Sequence, residues 1–173
     1  MSLLRYHYLK RSILGRILTS EAIKAEIINW RKANKKIVFT NGCFDLIHRG
    51  HIEYLTRAKL YGDILIVGLN SDDSVRRLKG KSRPYMNEND RAYILSQLKP
   101  VDVVIVFFED TPYTLIKKVE PDILVKGGDY QVHEICGRDI VEKRGGSVFN
   151  IPFIHGYSTT NLIKKIQADI KRL

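Results

Sequence analysis

Apolar residues along this chain gather into short unbroken runs, at Lys36 to Thr40, Ile64 to Leu69, Val101 to Phe107, Ile123 to Val125 and Ser147 to Ile151. A strand with one wet face alternates apolar and polar positions, whereas a strand covered on both faces does not, so these runs predict buried parallel strands. Between them, helical periodicity predicts segments at Ile52 to Tyr61, Ser71 to Leu78, Glu88 to Leu98, Thr111 to Val119 and Thr159 to Ile170. Strand and helix therefore alternate, which predicts an α/β fold with a doubly wound, parallel, five-stranded sheet. Ligands of such sheets bind beyond the carboxyl ends of the strands, at the point where strand order reverses. Upstream, Thr19 to Lys32 reads as an amphipathic helix with Thr19 or Ser20 as cap and Glu21 at its positive end. Residues 1–35 are taken as an extension ending in that helix, and 36–173 as the α/β domain.

Composition narrows the picture only a little. A length of 173 residues suits one domain. The longest apolar run, Val101 to Phe108, is interrupted by Asp102 and falls far short of the roughly 20 residues that span a bilayer, so no membrane segment is expected. Basic and tyrosine residues interrupt the N-terminus, which has no signal-peptide pattern. Cys43 and Cys136 stand apart without a CxxC spacing, as reduced cytoplasmic thiols would. A net charge of +10 attracts anions, and its dispersal over separate segments fits small phosphates as well as nucleic acid.

Chemistry concentrates at "TNGCFDLIHRGH", residues 40 to 51. Asn41-Gly42 follows a strand as a turn dipeptide in which glycine can take positive φ and admit a ligand to the backbone. His48 and His51 lie three apart where a helix begins, so both imidazoles can share one face beside free N–H groups that favour anions. A structural histidine pair, a zinc site using Cys43 or Asp45, and a phosphate clamp compete; the HExxH pattern of zinc peptidases is absent. A second candidate is Gly156-Tyr157-Ser158-Thr159-Thr160, where hydroxyls at a helix start can cap N–H groups or yield them to a phosphate. No P-loop is present, because Val75 stands where that motif needs glycine before Gly80-Lys81-Ser82.

The two stretches together resemble the signatures of the cytidylyltransferase-like nucleotidyltransferases, a G-x-F-D turn with HxGH followed far downstream by G-x-S-T-T. Residues 28 to 166, including "GLNSDDSVRRLKGKSRP", "PDILVKGGDY" and "IPFIHGYSTTNLI", look most like the heptose 1-phosphate adenylyltransferases that supply ADP-heptose for lipopolysaccharide. The resemblance implies a Rossmann-like fold and a cytoplasmic enzyme that moves AMP from ATP to D-glycero-β-D-manno-heptose 1-phosphate with release of pyrophosphate. It implies Mg²⁺ accompanying ATP, a separate heptose kinase in the same pathway, and the homodimer common among such relatives. Neither nucleic acid nor a membrane is an expected partner.

By the same resemblance, His48, His51 and Lys79 are the expected catalytic residues. Thr40, Asn41, Gly42, Phe44, Gly50, Arg91, Lys126, Gly127, Asp129, Ser158, Thr159 and Thr160 are expected at the nucleotide, and Lys81 and Arg83 at the substrate phosphate. Asp45, Phe153 and His155 are expected at the sugar, with no dedicated protein metal cage. Phe153 fits the heptose pattern, which disfavours a glycerol-3-phosphate cytidylyltransferase, the alternative within the family. His155 departs from it, standing where a glutamate is usual. A basic nucleic-acid-binding protein is the alternative of another class; no RNP or zinc-knuckle pattern supports it.

Overall fold

The computed structural model describes residues 15–128, 131–153 and 156–170. Its strands are β1 (Arg16–Ile17), β2 (Ile37–Gly42), β3 (Ile64–Asn70), β4 (Val103–Phe107), β5 (Ile123–Gly127) and β6 (Ser147–Ile151). The helices are α1 (Ile23–Lys32), α2 (Arg49–Lys59), α3 (Asp72–Lys79), α4 (Glu88–Ser96), α5 (Tyr113–Val119), α6 (Arg138–Lys143) and α7 (Thr159–Ile170), with a 3-10 turn at Val132–Glu134. The strands form one sheet in the order β1-β4-β3-β2-β5-β6, every pairing parallel.

The sheet thus has six strands, where five were expected. The extra one, β1, comes from the segment read as an extension. Arg16 N donates to Asp102 O at 2.9 Å and Leu18 N to Val104 O at 3.0 Å, joining β1 to the outer side of β4. Two residues are too few to show periodicity, so only pairing reveals the strand. A Cβ on Gly15 would lie 2.4 Å from Val101 O, so the approach to β4 needs glycine there. Residues 16–32 accordingly belong to the same body as the rest: Ile23 and Ile27 of α1 are core residues. Helix α6 and the 3-10 turn were not expected; they are short and set among glycines, including Gly137 and Gly145 at positive φ.

Both faces of the sheet are covered, which explains the unbroken apolar runs. Val38, Leu65, Val67 and Val104 face one layer with Tyr54, Leu55 and Ala58 of α2 and Ala92 and Leu95 of α4. Ile37, Phe39, Ile66, Val103 and Ile105 face the other, with α1, α5 and α6 contributing Ile27, Ile116 and Val141. Successive strand residues point to opposite faces, so each run feeds two cores at once. Burying one such Leu or Ile side chain stabilises the fold by about 1.5 to 3 kcal/mol.

From β2 the chain builds outward through β3 to β4, then returns to place β5 on the other side of β2 and β6 beyond it. The reversal point lies between β2 and β5, where a parallel sheet leaves a crevice at its carboxyl edge. Asn41-Gly42 and Lys126-Gly127 stand at that edge.

Candidate active site

The crevice opens into a cleft of about 580 Å³ whose walls include Gly42, Asp45, His51, Lys79, Lys126, Gly127, Phe153 and Thr159. A more open cleft of about 490 Å³ at the opposite edge of the sheet, among Arg31, Lys35, Lys36 and Arg144, holds none of the expected residues.

Strand β2 extends further than the turn dipeptide suggested. Asn41 and Gly42 remain in register with Gly68 and Leu69 of β3, and Gly42 is not at positive φ. The left-handed residue is Phe44, at φ 44°, and its ring folds back so that a Cβ on Gly42 would meet it at 2.9 Å. Glycine is required there by the close approach of Phe44. The turned chain delivers His48, in extended conformation, as the residue before α2.

Helix α2 begins at Arg49, three residues earlier than periodicity indicated, and brings His51 into its first turn. The imidazoles of His48 and His51 stack with centroids 3.9 Å apart and planes 20° from parallel. Phe44 lies 5.2 Å from the His51 ring. Both Nδ1 atoms are buried without a hydrogen-bond partner. Leaving a buried polar atom unpaired costs about 1 to 3 kcal/mol, so the site is built to receive a polar ligand atom. Burial, then His48, then Lys79 push the His51 pKa down to about 4, and burial lowers that of His48. Two neutral imidazoles therefore sit together at neutral pH, each with an N–H to donate.

The second stretch meets the first from across the fold. Gly156 turns at φ 86° and Ser158 Oγ accepts from Asn161 N at 3.0 Å, capping α7. Thr159 Oγ1 donates to Leu46 O at 3.4 Å, tying the start of α7 to the histidine loop. A Cβ on Gly50 would lie 2.9 Å from Tyr157 Cβ, so this glycine permits the two segments to touch. Thr160 is exposed and lies outside the cleft walls.

Several expected residues are held by protein partners. Arg91 was expected at the nucleotide, yet its side chain is fully buried. Nε donates to Met86 O at 2.9 Å, Nη1 to Cys43 O at 2.6 Å and Asn70 O at 2.8 Å, and Nη2 to Asp72 Oδ1 at 2.6 Å. A guanidinium out of water must be satisfied by protein, and this one joins three chain segments beneath the cleft. Asp45, expected at the sugar, accepts from Arg83 Nη1 at 2.6 Å, Tyr85 N at 2.7 Å and Met86 N at 3.1 Å. Arg83, expected at a phosphate, is thus held by Asp45 and stacks on Tyr85 at 4.7 Å. Thr40, expected at the nucleotide, is buried behind the cleft with Oγ1 2.6 Å from Tyr54 OH, which also reaches Val125 O at 3.2 Å.

Lys126 spans the reversal point, its Nζ donating to Asn41 Oδ1 at 3.1 Å, and burial lowers its pKa. A Cβ on Gly127 would meet Phe153 at 2.8 Å and Tyr54 at 2.9 Å, so the strand end packs tightly under Phe153, whose ring is otherwise exposed. Lys79 ends α3 and lines the cleft, while Lys81 is exposed beyond it. Asp129 and His155 lie outside the described residues.

Sequence reasoning did not single out Tyr54, Asn70, Asp110, Thr111, Glu134 or Ile135 as cleft residues. Asn70 alone carried a signal, as the polar residue that ends a buried strand next to the reversal point. Cys43 and Cys136, far apart in sequence, face the same cleft.

A parallel sheet with its crevice at the β2/β5 reversal, a stacked HxGH pair there and a hydroxyl-bearing helix start beside it define a Rossmann-like α/β fold that carries an HxGH pair. The chain belongs to the cytidylyltransferase-like family, whose profile matches residues 39–165. It is 55% identical over 153 residues to the "Bifunctional protein HldE" of Wolinella succinogenes, covering 88% of this chain and 31% of that protein. Against the protein of the same name from Geobacter metallireducens it is 57% identical over 143 residues, covering 82% of this chain and 29% of the relative. The chain thus spans about three tenths of the length of these relatives. Among solved structures, the lipopolysaccharide core biosynthesis protein of Thermoplasma volcanium superposes with a TM-score of 0.57 at 34% identity, over 69% of this chain and 97% of that one. Pantothenate synthetase from Thermus thermophilus, at 18% identity and a TM-score of 0.52 over 80% of this chain and 62% of its own, shares the fold.

Proposed function

We propose that this chain is an adenylyltransferase that moves AMP from ATP to D-glycero-β-D-manno-heptose 1-phosphate, giving ADP-heptose and pyrophosphate. The observation that carries the reading is the stacked, neutral His48 and His51 pair at the reversal point, each with an unpartnered buried Nδ1. Similarity to bifunctional relatives and to a lipopolysaccharide core biosynthesis protein supports the choice of acceptor. A heptose kinase, on another chain or another part of a longer one, supplies the acceptor.

In this reaction an acceptor phosphate oxygen attacks the α-phosphorus of ATP, a new O–P bond forms, and the bond to the β-phosphate oxygen breaks. No protein nucleophile is required, so catalysis rests on alignment and on donors aimed at the charge that develops. His48 and His51 donate to the phosphate chain, Thr159 and the start of α7 hold it from the far side, and Lys79 meets the acceptor phosphate or the leaving pyrophosphate. Phe153 and Gly127-Gly128 take the base. Mg²⁺ held by the triphosphate, rather than by a protein cage, would supply charge neutralisation there. The donor set fits a carried cation, since Asp45, the carboxylate of the histidine loop, already accepts from three donors.

The test is pyrophosphate release across nucleotides and phosphorylated acceptors, with and without Mg²⁺. Turnover with ATP and the heptose 1-phosphate is expected. Activity confined to CTP and glycerol 3-phosphate would replace this reading with the cytidylyltransferase one.

A further inference from the structure

Side chains bridge the seam between β2 and β5 where its ladder stops. Among the described residues these strands pair Val38 with Ile123 and Phe39 with Leu124, yet β2 stays paired with β3 through Gly42 and β5 with β6 through Gly127. The next positions in the same register are Thr40 with Val125 and Asn41 with Lys126. Tyr54 of α2 joins the first of these: its OH lies 2.6 Å from Thr40 Oγ1 and donates to Val125 O at 3.2 Å. A phenol has one proton to give, so Thr40 is the donor in the shorter bond. Lys126 Nζ joins the second, donating to Asn41 Oδ1 at 3.1 Å. Thr40 and Asn41, as successive strand residues, face opposite sides of the sheet, so the two bridges reach the seam from opposite faces.

Tyr54 also touches the end of β5. A Cβ on Gly127 would stand 2.9 Å from the Tyr54 ring and 2.8 Å from Phe153. The side chain is buried, yet it forms part of the cleft wall together with Gly42, Lys126 and Gly127. Burial raises its pKa, so the hydroxyl keeps its proton and stays a donor. A strand end that has left its neighbour's ladder can shift, and a buried hydroxyl with both partners in place fixes it. We propose that Tyr54 is a positioning residue of the nucleotide seat: through Thr40 and Val125 its hydroxyl sets the end of β5 relative to β2 and so places Gly127 against the base. This rests on the reading that Phe153 and Gly127 take the base. Neither His48 nor His51 takes part in the bridge, so its loss acts on the base end of a ligand and spares the phosphate end.

Titration calorimetry with non-hydrolysable ATP and CTP analogues and with inorganic tripolyphosphate separates the two ends. The wild type is expected to bind one nucleotide analogue about tenfold or more tightly than tripolyphosphate. In Tyr54→Phe, which keeps the ring and removes the hydroxyl, that advantage is expected to fall to about threefold or less, with affinity for tripolyphosphate within about twofold. Thr40→Val, which removes the other hydroxyl of the bridge at nearly constant volume, is expected to lose part of the advantage. In pyrophosphate release with an acceptor that the wild type turns over, Tyr54→Phe is expected to raise KM for the nucleotide about tenfold with kcat within about threefold, the pattern of binding lost equally from ground and transition states. A general loosening of the fold would instead weaken tripolyphosphate as well and lower kcat. An advantage retained in Tyr54→Phe, a loss shared equally by tripolyphosphate, or no nucleotide advantage in the wild type would overturn the proposal. Because either analogue can report, a preference for CTP would replace the adenylyl reading while the same ratio still decides the role of Tyr54.

Discussion

His51 is held neutral by its surroundings, and that has two measurable consequences. Its folded pKa of about 4 lies below the ordinary 6.5, so between those values the unfolded chain binds more protons than the folded one. Stability therefore falls as pH falls through that window, by about 2 to 3 kcal/mol from this group. Urea denaturation at pH 7 and at pH 4.5 is expected to show a smaller loss in His51→Asn than in the wild type. For catalysis, His51→Ala is expected to lower kcat by about 10² to 10³, the cost of one lost transition-state donor, with the thermal transition retained. Steady-state pyrophosphate release checks this, and unchanged turnover would remove His51 from the mechanism. The histidine pair was legible as a motif, because spacing and strand position are local. Its stacking was not, because His48 lies outside the helix and its ring is placed by His51 and Tyr157. The partners of Arg91 and Asp45 were not legible for the same reason: Cys43 O, Asn70 O and Asp72 for the one and Arg83 for the other are 19 to 48 residues away.

Between elements, two contacts decide whether the site assembles. Arg91 on α4 ties the ends of β2 and β3 to the loop before α4, and lysine cannot reproduce its fork. Arg91→Lys is expected to destabilise the fold by about 3 to 5 kcal/mol, since it strips partners from Asp72 and three carbonyls; denaturant midpoints would show it. The second contact is Gly50 against Tyr157. Gly50→Ala puts a methyl 2.9 Å from Tyr157 Cβ, where the start of α2 meets the turn before α7. The expected cost is about 1 to 3 kcal/mol, appearing as reduced kcat/KM for ATP as the two phosphate-binding segments part. Long elements were readable because a buried strand or an amphipathic helix repeats its signal over several residues. β1 and α6 were not, at two and six residues.

Over the whole molecule, β1 makes the N-terminal segment part of one cooperative body. Removing residues 1–18 deletes two ladder hydrogen bonds and uncovers the edge of β4, for an expected loss of about 1 to 3 kcal/mol within a single unfolding transition. Two separate transitions in the wild type would contradict this. The chain's own pattern determined the alternation of strand and helix, the burial of the sheet on both faces and the place of the histidine pair at a strand end, because each depends on residues within a turn or two. Tertiary structure alone decided that β5 returns beside β2. That return sets Lys126 against Asn41 and brings Cys43 and Cys136 to one cleft. Strand order is a competition among long-range pairings of similar local strength, and it is settled by how the two helix layers fill the faces of the sheet.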